Sequence, residues 1–258
     1  MTFTEAQLAQ WLADFLWPFF RIGALVTAAP ILGMRQVPIR FRVLLAVLIT
    51  LLVMPLLPPA PVVDALGAEA FLMAMQQLAV GLAIGFLLQL VFNALIFGGQ
   101  VMAYSMGLGF AHMMDPQNGV QVPVVSQYYL ILATLAFLLL NGHLVLIQLI
   151  ADSFHLVPVA TDGLTRAGLW ELVGWGSRMF AAGVVMALPV LIALLLVNIG
   201  MGVVGRAAPQ LNIFAVGFPV TLLMGMLLMW VTLPHVMTGF ADLLDEAFGK
   251  VGVILTMR

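Results

Sequence analysis

Long apolar runs dominate the chain, and the charges between them fall in few places. Residues 43–63 contain no Asp, Glu, Lys or Arg, and the same holds for 70–114, 116–151, 179–205 and 207–241. A further apolar stretch, Phe15 to Leu32, is interrupted only by Arg21. A helix that crosses a bilayer needs about 20 mostly apolar residues, and a charge at its centre is costly. The runs therefore predict six helical segments, roughly 6–32, 40–58, 69–105, 124–151, 170–205 and 212–237. Alternating polarity over about ten residues, the mark of a membrane barrel strand, does not occur. The expected fold is all-α, a polytopic membrane-type protein of about six long kinked helices or hairpins.

Two of these segments exceed a simple span. Residues 69–105 as one helix would extend about 55 Å, against a hydrocarbon core of ~30 Å. Either Gly98-Gly99 breaks it, or other protein buries part of it. Pro189 is expected to divide the fifth segment, because an internal proline removes a hydrogen bond and kinks a helix. The tail from Phe240 to Leu255 returns to amphipathic spacing. Phe240, Leu244, Phe248, Val251 and Leu255 form one face, with Asp242, Asp245, Glu246 and Lys250 elsewhere. A surface or partner-packing helix fits that pattern. No repeat or linker is evident, so one domain is expected over 1–258. Met1 to Glu5 lack a positive n-region, and no cleavable signal peptide is expected. Arg35, Arg40 and Arg42 in the first connection place it in the cytoplasm and the N-terminus outside, with Arg206 agreeing and Arg166 and Arg178 opposing.

Composition narrows the function. The chain is 64% hydrophobic and 8% charged, against about 45–50% and 25% in soluble domains. A globule of this size could not cover that much apolar surface. Nine Lys+Arg against eleven Asp+Glu, a net charge of −2, exclude a nucleic-acid binder, which needs clustered cations. The absence of cysteine removes disulfides, thiolate zinc sites and iron–sulfur clusters, and leaves the compartment open.

Enzymatic chemistry finds little support. Gly200 to Gly205 match G-x-G-x-x-G formally, yet they end an apolar helix and no Asp or Glu occurs from 207 to 241. The dinucleotide site needs a strand before the motif and an acidic residue about 20 positions on. His112, His143, His155 and His235 form no H-E-x-x-H, and Asp152 with His155 gives two metal ligands at most. No nucleophile has a base beside it. No cofactor, metal or catalytic residue is expected, and the chain reads as a non-enzyme.

Two features invite a partner or a pore. On the third segment Gln89, Asn93 and Gln100 fall within about 40° of one another around a helix. Gln77, Gly81, Gly85 and Gln89 follow at four-residue spacing, and small residues and amides are what membrane helices associate through. Intramolecular packing and contact with a second subunit or a wet channel are both open. Arg21 is a charge that seeks a partner. The second feature is Met106 to Gly119, where Gly107, Gly109, Asp115-Pro116 and Asn118-Gly119 disfavour helix. Irregular backbone at membrane depth survives only inside protein or beside a water-filled cavity. The piece is nevertheless apolar, with three methionines (Met106, Met113, Met114) and Phe110. Methionine fills irregular gaps, so the loop reads either as a deformable seal or as a buried structural re-entrant.

At this point the residues resemble a known family, the FliR flagellar biosynthetic proteins of the type III export gate. The resemblance covers nearly the whole chain. It is carried by Trp17-Pro18 with Arg21, Ala29-Pro30-Ile31-Leu32, Met75-Gln76-Gln77 with Gly81, and the Met106 to Pro116 loop. It continues through Asn141-Gly142-His143, then Ala208-Pro209-Gln210-Leu211-Asn212-Ile213-Phe214, and closes with Gly217-Phe218-Pro219. What it implies goes beyond the residue reading. Such proteins assemble with FliP and FliQ into a closed helical gate in the bacterial inner membrane, within the flagellar basal body and largely above the membrane plane. FlhB wraps the entrance, FlhA supplies the cytoplasmic side, and unfolded flagellar proteins pass through. Residues 1–152 would be a FliP-like part, and 165–258 a FliQ-like hairpin with the amphipathic C-terminal helix. The plug maps onto Met106, Gly107, Leu108, Gly109, Phe110, His112, Met113 and Met114. Subunit packing maps onto Arg21, Gln77, Gly81, Gly85, Gln89, Asn93, Gln100, Pro209, Asn212, Phe214 and Pro219. Membrane lipid is the remaining contact. Within the family the alternative is the corresponding subunit of a virulence injectisome. From another class it is a secondary transporter of a small solute, although such proteins carry inverted repeats and midplane charges. A structural membrane scaffold is a third reading.

Overall fold

The computed structural model describes residues 4–34, 37–64, 67–109, 124–208, 210 and 213–257. They form seven helices: α1 (Glu5–Ala28), α2 (Ile39–Val53), α3 (Ala68–Ser105), α4 (Val124–Leu139), α5 (Gly142–Leu156), α6 (Arg166–Ala207) and α7 (Ile213–Thr256). A 3₁₀ turn, Met54–Leu56, follows α2, and no strand occurs among the described residues. The all-α expectation holds.

Local chemistry explains several ends. At the start of α1, Thr4 Oγ1 accepts from Gln7 N–H and Gln7 Oε1 accepts from Thr4 N–H, a reciprocal cap for two otherwise orphan donors. The apolar run 124–151, expected as one segment, is two helices bent by 67°. Asn141 stands between them at φ 57, a left-handed conformation that asparagine tolerates better than most side chains.

Three long helices run on through glycines or prolines. α3 passes through Gly98-Gly99 unbroken for 38 residues. A Cβ on Gly98 would stand 2.8 Å from the Gly183 carbonyl oxygen, and one on Gly99 2.9 Å from Ser126 Cα. The pair lets α6 and α4 approach α3 closely and does not end the helix. α6 continues across Pro189 for 42 residues, so the proline does not divide it. One missing hydrogen bond is a smaller loss than exposing a whole turn of backbone where no other donors or acceptors are at hand. α7 contains both Pro219 and Pro234 and absorbs the amphipathic tail into a single helix of 44 residues.

Contacts gather the chain into two units. One comprises residues 1–90, 138–176 and 244–258, the other 91–137 and 177–243. Each draws on both 1–152 and 165–258. In the first unit Trp17 packs with Ala13, Ala60, Ala70 and Met73. There the start of α6 also lies on the end of α7: Thr165 Oγ1 donates to the Met257 carbonyl at 2.7 Å, and Lys250 pairs with Glu171. In the second unit Phe92 meets Phe137 and Phe240 edge-on at 5.7 and 5.4 Å, and Phe97 meets Phe180 at 5.1 Å. Ser126 Oγ donates to the Ile96 carbonyl at 2.8 Å.

Among the described residues four helices are long and apolar enough to cross a membrane, or five if the bent α4–α5 pair is one span. The difference from six lies partly in α1, whose polar residues include Glu5, Gln10, Asp14 and Arg21. The most apolar stretch of α3 is 67% buried within the chain, against 33% for α6, 22% for α7 and 17% for α2. Of these four, α3 is the one most covered by the chain itself, and the other three carry exposed apolar side chains.

Candidate functional site

Arg21 is fully buried, and among the described residues its hydrogen bonds run to neutral acceptors. Nε donates to Gln77 Oε1 at 2.8 Å, and Nη2 to the Val157 carbonyl at 2.8 Å. Nη1 donates to the Ser153 carbonyl at 2.8 Å and to Ser153 Oγ at 3.1 Å. The Ser153 hydroxyl gives its own proton to the Ile150 carbonyl at 2.6 Å, which leaves its lone pairs facing the guanidinium. Phe154 lies beneath, its ring centroid 4.0 Å from Arg21 Cζ. Ser153 and Val157 belong to the last turn of α5 and its cap, where the negative end of the helix dipole favours a cation; the Ser153 carbonyl also accepts from Val157 N–H at 2.9 Å. Arg21 thus joins α1, α3 and α5.

The small residues of α3 complete that joint. A Cβ on Gly81 would come within 2.9 Å of Ala24 Cβ, and one on Gly85 within 2.6 Å of Ala28 Cβ. Gln77, Gly81 and Gly85 form the groove in which α1 lies. Of the two readings open for Gln77, Gly81 and Gly85, packing within the chain is what this burial displays, and with Arg21 their surfaces are covered by the chain itself. Further along α3, Gln89 is exposed, and Asn93 and Gln100 are half-buried. Gln100 Nε2 donates to Tyr104 Oη at 3.0 Å. Gln89 and Asn93 have no side-chain hydrogen bond among the described residues, so the outward polar stripe of α3 begins at Gln89.

The Met106–Gly119 loop is described as far as Gly109. α3 ends in a double bond pattern, with Gly107 N–H donating to the Tyr104 carbonyl and Leu108 N–H to the Ala103 carbonyl, both at 3.0 Å. Gly107 has φ +82, the left-handed cap this arrangement requires. Met106 is 1% exposed and lies on α7. A Cβ on Gly225 would stand 2.5 Å from Met106 Cγ, and one on Gly107 3.2 Å from the Phe218 ring. Thr221 Oγ1 lies 3.4 Å from the Met106 carbonyl oxygen. Leu108 and Gly109 are half-buried. Phe110, His112, Met113 and Met114 lie outside the described residues, as do Pro209, Asn212 and the side chain of Phe214. Pro219 is exposed in the second turn of α7.

Gly200 to Gly205 are helical within α6, without the strand that a dinucleotide site needs. Among the described residues no three His, Asp or Glu side chains gather as metal ligands. The first unit also holds a cleft of 460 Å³ walled by Trp11, Pro18, Pro58, Phe154 and Pro158. Asp14 Oδ1 at its edge accepts from Ala60 N–H and Gln10 Nε2, both at 2.8 Å. Sequence reasoning missed this cleft, the Ser153–Val157 acceptors and the Gly225 notch. The one available signal was Arg21 itself, a charge that had to find acceptors.

Residues 12–247 match the family model described as bacterial export proteins, family 1. The flagellar biosynthetic protein FliR of Escherichia coli strain K12 is 38% identical over 98% of this chain and 97% of its own length. FliR of Pectobacterium carotovorum subsp. carotovorum is 37% identical over 99% and 98%. The chain belongs to the FliR family of bacterial export proteins. A more distant member, FliR of Aquifex aeolicus strain VF5, is 28% identical over 93% of the chain, so the likeness runs end to end. FliR-family membership places the chain in flagellum biogenesis and protein export, and its apolar helices make it a membrane-type component.

Proposed function

We propose that this FliR-family chain is a core subunit of the flagellar type III export gate. With FliP and FliQ it forms the channel that passes unfolded flagellar proteins across the bacterial inner membrane, inside the basal body. FlhB borders the entrance and FlhA the cytoplasmic side. Residues 1–152 supply the FliP-like part, and α6 with α7 the FliQ-like hairpin. The reading rests on the family and on one structural observation. Exposed apolar side chains on α6 run from Leu169 to Val204, a helical rise of about 52 Å. A bilayer core takes ~30 Å, and even a ~40° tilt leaves about 40 Å to cover. Lipid alone cannot shield this face, and other protein subunits of the gate can. The outward stripe of Gln89, Asn93 and Gln100, together with Pro219, is assigned to that subunit packing.

The mechanism requires no catalytic group. At rest the loop Met106 to Gly119 occupies the pore, and Phe110, Met113 and Met114 exclude ions, while Met106 is held on α7. An arriving unfolded chain displaces it. Deleting 106–119 is expected to leave the assembled gate recoverable while the membrane leaks ions. An assembled deletion variant that retains ions normally contradicts the plug.

A further inference from the structure

We infer that Gly225, with Thr221 and Phe218, is a positioning site on α7 that seats Met106 and so aims the chain as it leaves α3. The inference rests on the plug reading above. α3 ends at Ser105, and the Gly107 and Leu108 amides just beyond it turn back onto the Tyr104 and Ala103 carbonyls, which fixes the direction of exit. Helix ends leave carbonyls without intrahelical donors, and the Met106 carbonyl has the Thr221 hydroxyl 3.4 Å away. The same hydroxyl also reaches the Phe218 carbonyl at 3.0 Å, so a single proton serves two acceptors. The Met106 side chain fills the space that a larger residue at 225 would occupy: Cγ and Sδ lie 2.5 and 3.1 Å from where a Cβ would stand. Phe218 closes the other side, its ring edge 3.2 Å from a Cβ position on Gly107. A glycine under a buried methionine is a lock between two helices, since overpacking it must displace the methionine or the helix.

The test compares ion leak and export in cells whose assembled gates are recovered and quantified. Four chains are measured: native, the 106–119 deletion, Gly225→Val, and Gly225→Val with Met106→Ala. Gly225→Val is expected to assemble and to leak at least half as fast as the deletion. Met106→Ala, by removing the atoms in conflict, is expected to return the double variant most of the way to the native seal. A tight deletion variant overturns the plug reading itself. A leaking deletion beside a tight Gly225→Val overturns only the seat. Leak that Met106→Ala does not relieve also overturns the seat, because Gly225 then acts through general helix packing. If Gly225→Val fails to assemble, a cysteine pair replaces it: Met106→Cys with Gly225→Cys, in a chain that has no cysteine of its own. Cross-linking in the assembled gate with the resting seal intact supports the seat. Absence of the cross-link, or a leak on oxidation that reductant reverses, overturns it.

Discussion

Arg21 shows how a cation is kept inside an apolar chain. Its hydrogen bonds go to Gln77, Ser153 and Val157, and its face rests on Phe154. Arg21→Ala removes four hydrogen bonds at once and takes the donor from Gln77 Oε1 and the Val157 carbonyl, and hydrogen bonds to a charged group are worth about 1.5–3 kcal/mol each. A loss of about 3 kcal/mol or more is expected, seen as a lower melting temperature of the purified complex. Faster hydrogen exchange at the end of α5 is expected alongside it. Arg21→Lys keeps the charge but not the planar fork that reaches two helices together, so it should recover less than half of the loss. Full recovery by lysine would mean that charge alone holds the joint. The acceptors were illegible beforehand because Ser153 and Val157 lie 132 and 136 residues from Arg21. The need for acceptors was legible, since a buried charge without them is not tolerated.

At the scale of the helices, the apolar runs read directly as spans, and their boundaries mostly hold. Pro189 does not act as a break, and for α3 the reading in which protein buries the helix holds over a break at Gly98-Gly99. Gly98 and Gly183 let α3 and α6 nearly touch, a Cβ on Gly183 coming within 2.6 Å of the Ala94 carbonyl oxygen. Gly98→Leu should therefore force the helices apart, at a cost of about 1–3 kcal/mol. Pro189 lies on an exposed side of α6, so Pro189→Ala should hold or raise thermal stability by restoring a backbone donor. Thermal unfolding of both variants checks the pair, and a destabilising Pro189→Ala would show that the proline fits a needed bend. The opposite holds at Asn141-Gly142, where a turn signal divides an apolar run into two helices bent by 67°. Gly107 belongs to this scale too. At φ +82 a β-branched residue is strained by about 1–2 kcal/mol, so Gly107→Val should loosen the end of α3, measured as faster exchange at Ala103 to Met106.

For the whole molecule, composition settles the membrane-type class, and the outward apolar length of α6 points to an assembly. The periodicity does not say what covers the apolar faces. Helical wheels report which positions are apolar, not whether lipid or a neighbouring subunit covers them, and the polar stripe from Gln89 to Gln100 stayed open for that reason. The same stripe proved divided: its Gln77–Gly85 end serves the chain's own packing, and only the remainder faces outward. The central claim is assembly, and one measurement meets it directly. The tagged chain is co-expressed with FliP- and FliQ-like subunits, extracted in mild detergent and weighed by native mass spectrometry. The account predicts one large complex containing all three. A stable monomer or homodimer that ignores those subunits would contradict it.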